Sequence, residues 1–183
     1  MGLLEHKKRL LALFCSPNTF GHTRMLLDSF LREFKDKKDW QITEIDTYAL
    51  SPKPCMGCKA CAKKEGCRLD DLDGLDKELR RSDLLVVASP VYNASFPAPM
   101  KAVLDRTQRY FEARFSLGIK QPVKKHRDAV LLLTAGKEDD FPLEVMAHQL
   151  QQAFSVMNTS LRGCAMWGGT DLSRKNQGPA EQK

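Results

Sequence analysis

The chain has 183 residues, which suits one domain with a complete core and is short for two. Its apolar share of 42% and charged share of 28% are ordinary for a soluble protein, and a net charge of +6 without a long basic run argues against nucleic acid as a partner. No segment has the roughly 18 apolar residues that span a bilayer, and the N-terminus lacks the features of a secretory signal. We therefore expect a cytoplasmic protein without membrane contact.

The first elements of the chain alternate between strand and helix patterns. A continuous apolar run at 10–15 predicts a strand buried on both faces. It leads through the turn-forming segment 16–23 into an amphipathic helix, in which apolar residues recur between positions 26 and 34. Alternating residues at 40–45 predict a second strand, which is expected nearer an edge of the sheet.

A cysteine-rich loop, 54–71, separates the second strand from the next helix. Leucines at helical spacing predict that helix around 72–79, with Asp70 or Asp71 as its N-cap. The third strand is predicted at 84–89, because this run is again apolar throughout.

The rest of the chain repeats the alternation. We expect a helix at 97–112, a buried fourth strand at 129–134, a helix at 143–154 and a fifth strand at 161–167. The segment 173–183 is polar, and no amphipathic helix pattern follows the fifth strand.

Buried strands that alternate with amphipathic helices predict an α/β protein with a parallel sheet and helices on both faces. Five strands indicate a flavodoxin-like doubly wound sheet of order 2-1-3-4-5 that lacks its last helix, in a single domain over 1–172 followed by the polar tail. Ligands of such sheets bind beyond the carboxyl ends of the strands, at the point where the strand order reverses. The loops after strands 1, 3 and 4 are therefore the expected site.

The first of these loops has the composition of an anion-binding turn. Ser16, Asn18 and Thr23 supply short polar groups, Gly21 relaxes the turn, and the helix that follows presents its N-terminus. The loop lacks both the lysine and spacing of a Walker loop and the glycine pattern of a dinucleotide fold. A phosphate monoester, as in FMN, fits such a loop, and an ordinary strand-to-helix turn is the alternative.

Cys15 and Cys164 stand apart from the cysteine-rich loop. Both fall on predicted strands, and we expect both to be buried. Low-molecular-weight tyrosine phosphatases place a nucleophilic cysteine after the first strand of a similar sheet, but they need an arginine at C-x5-R. Here the next arginine, Arg24, gives C-x8-R, which argues against that activity.

The loop after the third strand carries a more specific pattern. Its sequence resembles that of the NAD(P)H-dependent FMN reductases of the flavodoxin-like group, which carry serine, proline, tyrosine, lysine, aspartate and arginine at fixed spacing here. The matching residues are Ser89, Pro90, Tyr92, Lys101, Asp105 and Arg106. The first loop matches their S-P-R-x-x-G-N-T pattern at Ser16, Pro17, Gly21 and Thr23, and departs from it at Asn18 and His22.

The resemblance implies an FMN cofactor, NAD(P)H as electron donor and a homodimer or higher homo-oligomer. The flavin carries the chemistry, so no catalytic side chain is expected. Backbone N–H groups between Pro90 and Asn93 would donate to the isoalloxazine, and Tyr92 either walls the ring or belongs to the core. Lys101, Asp105 and Arg106 are expected to be structural. The implied cofactor-binding residues are Ser16, Asn18, Gly21, His22, Thr23, Pro90, Val91, Tyr92, Asn93, Thr134, Ala135 and Gly136.

Four cysteines lie close together in the loop after the second strand. The spacing of Cys55, Cys58, Cys61 and Cys67 is C-x2-C-x2-C-x5-C, which is similar to the ferredoxin run that wraps a [4Fe–4S] cluster. Zinc sites usually separate two such pairs by a longer spacer. The iron–sulfur flavoproteins, a branch of the same family, carry a compact motif at this place, and by that match the four cysteines would be cluster ligands. Free or reversibly oxidised thiols and zinc stay open as alternatives.

Three functions therefore follow from the sequence. The first is an FMN-dependent oxidoreductase that takes electrons from NAD(P)H and passes them to an acceptor, with or without a cluster. The second is an iron–sulfur flavoprotein that exchanges electrons with a ferredoxin and does not respond to NAD(P)H. The third is a non-enzymatic sensor whose thiols or bound metal report redox state.

Overall fold

The structure is a computed structural model that describes residues 7–171, and a five-stranded sheet lies at its centre. All neighbouring strands pair in parallel, in the order β2-β1-β3-β4-β5, so the predicted flavodoxin-like sheet is confirmed. The strands are β1 (Lys8–Phe14), β2 (Trp40–Asp46), β3 (Leu84–Pro90), β4 (Arg127–Thr134) and β5 (Thr159–Trp167).

Helices connect successive strands and pack on both faces of the sheet. In the described part of the chain they are α1 (His22–Lys35), α2 (Thr47–Leu50), α3 (Asp73–Arg81), α4 (Ala98–Asp105), α5 (Gln108–Phe115) and α6 (Phe141–Phe154). A single 3-10 turn, Ala60–Ala62, lies inside the cysteine-rich loop.

The sequences of the central strands are unbroken apolar runs, because both faces of these strands are buried. Leu10 and Phe14 of β1 pack on one side against Leu27 of α1. Leu11 and Leu13 point to the other side, into a larger core that α3, α4, α5 and α6 complete. The sheet is thus fixed by burial on two sides, which positions the carboxyl ends of β1, β3 and β4 next to one another.

The predicted single helix over 97–112 is wrong in one respect, because it is divided into α4 and α5 at Arg106 and Thr107. The Thr107 hydroxyl donates to the Leu104 carbonyl at 2.7 Å, a local bond that competes with regular helix geometry. Beside it the Arg106 guanidinium turns inward to contact the cysteine-rich loop.

The predicted N-cap of α3 is also wrong. Leu72 occupies the cap position, without a side-chain hydrogen bond. The Asp71 carboxylate instead accepts from the Lys53 backbone N–H at 2.8 Å and from Arg106 at 2.9 Å. The Asp71 carboxylate, which the sequence assigned to the N-cap of α3, is therefore used in a long-range ion pair with Arg106.

Several expectations concern the ends of the chain. The polar tail 173–183, the absence of a last helix, and residues 1–6 and 172 of the expected domain lie outside the described residues. Within 7–171, none of the helices combines the length and apolar character required to cross a membrane.

Candidate functional site

The loop after β1 is a tight turn stabilised by its own side chains. The Ser16 hydroxyl, which is buried, accepts from the Asn18 N–H at 3.1 Å, and the Asn18 side chain accepts from the Phe20 N–H at 3.0 Å. Gly21 is the cap residue of α1, and a Cβ there would lie 2.9 Å from the Asn18 amide nitrogen. A larger residue at this position would have to displace the Asn18 side chain, which glycine avoids. The turn directs the N-terminus of α1 toward the sheet edge, and a helix N-terminus favours an anion.

Two hydrogen bonds to Thr134 connect the loops after β1, β3 and β4. Its hydroxyl lies 2.7 Å from the Thr23 hydroxyl in a buried contact, and its carbonyl accepts from the Val91 N–H at 2.8 Å. Residues that are more than 40 positions apart in sequence thus meet at the carboxyl ends of three adjacent strands. The structure brings the three predicted cofactor loops together at one place.

The loop after β3 is a hairpin-like turn with two residues in the left-handed region. Tyr92 and Ser95 exchange backbone hydrogen bonds at 3.0 Å, and Asn93 and Ala94 between them have φ of 52° and 54°. Tyr92 is 46% exposed, so the alternative that placed it in the core is wrong.

The expectation that N–H groups throughout 90–93 face a cofactor needs correction. Pro90 has no N–H, the Val91 N–H is bonded to Thr134, and the Tyr92 N–H is bonded to Ser95. The donors at the tip of the turn are the N–H groups of Asn93 and Ala94, which have no acceptor among residues 7–171. The available donors of this turn are thus Asn93, which the sequence prediction included, and Ala94, which it did not.

Residues after β5 cover the loop after β4, a contact that sequence reasoning missed. The Thr170 hydroxyl and N–H both donate to the Ala135 carbonyl, at 3.0 and 3.1 Å, and the Asp171 N–H donates to the Gly136 carbonyl at 3.3 Å. A Cβ on Gly136 would lie 2.2 Å from the Asp171 carboxylate, so glycine permits this close approach.

Trp167 at the end of β5 is a further site residue that sequence reasoning missed. Its ring packs edge-on against the His22 ring, with 4.9 Å between centroids, and it is partly exposed at the same sheet edge. Its place at the carboxyl end of a predicted strand could have indicated Trp167, because the carboxyl ends of all parallel strands lie at this edge.

The structure agrees with the sequence argument against a cysteine phosphatase. Cys15 is fully buried, and burial raises the pKa of its thiol far above the ordinary range, which keeps it protonated. Arg24 is paired with Glu44 and, at 2.6 Å, with Asp28, so it does not fold over the loop. The expected burial of Cys15 is confirmed.

The expected burial of Cys164 is wrong. Its side chain is exposed on β5, which among residues 7–171 pairs with β4 and lies at the edge of the sheet. An apolar pattern at the end of a chain does not distinguish a covered strand from an open edge.

The four clustered cysteines line one cleft between the cysteine-rich loop and the α4–α5 helices. The cleft has a volume of about 340 Å³, and Arg106, Arg109 and Glu112 form its helical wall. All four cysteines are unpaired thiols; they are Cys55, Cys58, Cys61 and Cys67. Burial raises the pKa of the Cys61 thiol, and the negative charge of Glu112 raises it further.

No group of three or more His, Cys, Asp or Glu side chains within residues 7–171 is close enough to hold a single metal ion. A [4Fe–4S] cluster separates its thiolate ligands more widely than a mononuclear site does, so this finding concerns zinc more directly than a cluster. The fit of the cleft to a cluster rests on its four thiol donors, because Arg106 and Arg109 in its wall are paired with aspartates and Glu112 adds a negative charge.

The comparisons with known proteins agree on family and fold. A family model described as NADPH-dependent FMN reductase matches residues 8–168. An iron–sulfur flavoprotein of Archaeoglobus fulgidus is 31% identical over 96 residues, 52% of this chain and 43% of that protein. An iron–sulfur flavoprotein of Methanosarcina thermophila is 36% identical over 78 residues, 40% of this chain and 41% of that protein. The chain thus matches less than half the length of these curated relatives.

Solved structures show the same architecture at low identity. The azoreductase AzrA has a TM-score of 0.64 at 13% identity, with 92% of this chain and 91% of that chain covered. The NAD(P)H:quinone oxidoreductase from Methanothermobacter marburgensis has a TM-score of 0.62 at 16% identity, with 89% and 87% covered. At such identities the likeness shows the fold alone.

Proposed function

This chain belongs to the NADPH-dependent FMN reductase family, and on that premise we propose that it binds FMN at the carboxyl edge of its sheet, takes electrons from NAD(P)H and passes them to an acceptor. The observation that carries this proposal is the junction at Thr134, which joins the loops after β1, β3 and β4 at the point where the strand order reverses.

Each loop has a separate role in the proposed site. The loop containing Ser16 and Thr23, with the N-terminus of α1, holds the phosphate of FMN. The turn that exposes the N–H groups of Asn93 and Ala94 donates to the polar edge of the ring system, and the backbone at Gly136 bounds its other side. Bound FMN supplies hydride acceptance and one-electron transfer.

Exposed aromatic side chains surround this edge and support a site for planar molecules. Phe20, Tyr92 and Trp167 lie in the loops after β1 and β3 and at the end of β5, and all three are exposed. Aromatic faces of this kind pack favourably on other rings and exclude water from them. In the proposal they orient the flavin and the nicotinamide and carry no proton.

The same proposal gives the cysteine cleft a [4Fe–4S] cluster, with Cys55, Cys58, Cys61 and Cys67 as ligands. Its support is the shared cleft of four unpaired thiols and the likeness to two iron–sulfur flavoproteins. Unpaired cysteines also fit the reducing cytoplasm, which is the proposed location. A bound cluster supplies one-electron transfer.

A second candidate, a ferredoxin-linked electron carrier, is favoured by charge around the cysteine-rich loop. Lys53, Lys63, Lys64 and Arg68 are exposed there, beside Met56, which is 65% exposed. A basic rim around an exposed redox site attracts an acidic electron-transfer protein, and this attraction weakens with ionic strength.

The proposed assembly is a homodimer. A groove of about 650 Å³ lies between α4–α5 and α6, with the exposed rings of Phe111 and Phe115 on its wall. Sedimentation velocity tests this part of the proposal: a dimeric mass supports it, and a monomeric mass at micromolar concentration contradicts it.

Steady-state oxidation of NADH and NADPH by the FMN-loaded protein tests the electron donor. The proposal predicts turnover with at least one of the two, and a loss of FMN affinity in Thr23→Val that the matched Thr43→Val on β2 does not show. Flavin binding without any NAD(P)H oxidation, combined with reduction by a ferredoxin that slows as salt rises, would replace the first candidate by the second.

A further inference from the structure

Arg106 contacts both ends of the cysteine-rich loop from the break between α4 and α5. Its side chain is 3% exposed, and its guanidinium donates to the Lys53 carbonyl at 3.0 Å, to the Leu69 carbonyl at 2.9 Å and to the Asp71 carboxylate at 2.9 Å. Lys53 precedes the first clustered cysteine, and Leu69 and Asp71 follow the last one. One side chain therefore joins the two stems of the loop.

The Asp71 carboxylate completes this connection. Its second oxygen accepts from the Lys53 N–H at 2.8 Å while its first accepts from Arg106. Lys53, Asp71 and Arg106 thus form a closed set of hydrogen bonds, which we call the latch.

Inside the loop the backbone hydrogen bonds among the described residues are local. They occur around the 3-10 turn, where the Ala62 N–H donates to the Lys59 carbonyl and the Lys63 and Lys64 N–H groups donate to the Ala60 carbonyl. These bonds shape the middle of the loop and leave its two stems unconnected. A second tether, the Lys59 ammonium to Glu112 at 3.2 Å, also reaches α5 but holds only the middle.

We infer that the latch is a positioning device, in which Arg106 and Asp71 hold the cysteine-rich loop closed around the cleft before any metal is bound. Closing a long loop costs conformational entropy, and a buried guanidinium that bonds both stems offsets that cost. Position 106 requires arginine, because the planar guanidinium donates to three acceptors at once. A lysine ammonium is a single point of charge and cannot do so.

The latch also connects the two proposed redox sites. α4 begins at Ala98, directly after the turn that contains Asn93, and ends at Asp105, next to Arg106. Eight residues of helix span about 12 Å. The latch thus attaches the cysteine-rich loop to the far end of a rigid helix whose near end carries the flavin loop.

Hydrogen–deuterium exchange of the cluster-free protein tests the latch without any use of activity. In Arg106→Lys we expect exchange in residues 54–70 to be faster by about tenfold or more, with exchange in α1 unchanged, since breaking a buried hydrogen-bonded pair is strongly destabilising. Asp71→Asn, which keeps a neutral acceptor, should give a smaller increase at the same residues. Arg81→Lys is the matched control, because Arg81 is 51% exposed and pairs with Glu78 only at 3.9 Å.

The inference rests on the proposed function only in naming the cysteines as ligands. Iron uptake on anaerobic reconstitution should slow in both latch variants while FMN affinity stays within about twofold of wild type. Unchanged exchange in 54–70 would overturn the latch, and so would an equal increase in the loop and in α1, which indicates general destabilisation. If Arg106→Lys does not fold, Asp71→Asn serves instead, with exchange in residues 54–70 again compared with exchange in α1. Failure of the wild type to bind FMN would refute the proposed function and leave the latch standing.

Discussion

The two candidate redox sites are built from different kinds of interaction. At the carboxyl edge of the sheet, short loops continue directly from β1, β3 and β4, and bonds close to the strand ends, such as Val91 to Thr134, hold them. The cysteine-rich loop is held instead by side-chain contacts from Arg106, at the break between α4 and α5, and from Glu112 of α5. The conformation of the edge site is therefore determined by the sheet, whereas the conformation of the cysteine-rich loop depends on a few side chains.

This difference gives a rule for substitutions. A change at the edge should alter cofactor affinity and stability by moderate amounts, because the sheet still positions the loops. A change at the cysteine loop should remove its function and leave the edge site intact. Substitutions at the two sites should therefore have separable effects.

Cys61→Ser is expected to reduce bound iron to less than about a tenth of wild type, because a cluster requires its full set of thiolate ligands. FMN binding should stay within about twofold, and iron analysis with a flavin titration on the same sample measures both. Cys164→Ser is the control, since that thiol is exposed on β5 outside both sites. A parallel loss of flavin in Cys61→Ser would show that the two sites are not separable.

Thr23→Val removes one partner of the buried hydroxyl pair and leaves Thr134 unsatisfied. The free energy of unfolding should fall by about 1–3 kcal/mol, and FMN affinity by about tenfold. The double variant Thr23→Val, Thr134→Val should recover much of the stability, because neither hydroxyl then lacks a partner. Urea unfolding measures this, and a double variant no more stable than the single one would refute the role given to this pair.

The latch should weaken in acid. Partial burial alone would raise the pKa of Asp71, but the hydrogen bonds from the Lys53 N–H and Arg106 outweigh it and lower that pKa. A lowered pKa means that the stabilisation is complete above the unfolded value of about 4 and is lost as pH falls below it.

Exchange in residues 54–70 should accordingly speed up in the wild type as the pH falls below about 4, once the intrinsic pH dependence is subtracted. Asp71→Asn should show little of this additional change. An identical pH profile in the two proteins would show that Asp71 does not act through its charge.

Lys101→Gln should have the smallest effect. Lys101 and Asp105 form an ion pair at 2.6 Å, but their side chains are 48% and 46% exposed. Exposed pairs of this type contribute little, so the free energy of unfolding should change by less than about 0.5 kcal/mol. Thermal unfolding measures it, and a loss comparable to that of Thr23→Val would contradict the small contribution assigned to this surface pair.

The sequence sufficed for the sheet and for the meeting of the loops after β1, β3 and β4 at one edge, for a physical reason. Apolar runs such as 10–15 and 84–89 report burial on both faces, and a parallel sheet then determines where its loops meet. The cysteine spacing likewise placed four thiols on one loop. Each of these inferences depends only on residues that are near one another in the sequence.

The errors arose where a distant partner decided the outcome. The predicted helix is divided at Arg106, whose side chain bonds Leu69 and Asp71. No local pattern around position 106 predicts these contacts. In the same way the Val91 N–H is taken by Thr134, and residues near 170 cover Gly136. Such contacts become visible only after the fold has brought remote segments together.

The most direct test is the flavin and iron content of anaerobically purified protein, with Thr23→Val and Cys61→Ser measured beside the wild type. We expect about one FMN and about four irons with four sulfides per chain in the wild type. We expect weaker flavin retention with full iron in Thr23→Val, and full flavin without iron in Cys61→Ser. A wild-type chain that binds no FMN, even when FMN is supplied in excess, would refute the proposed FMN site.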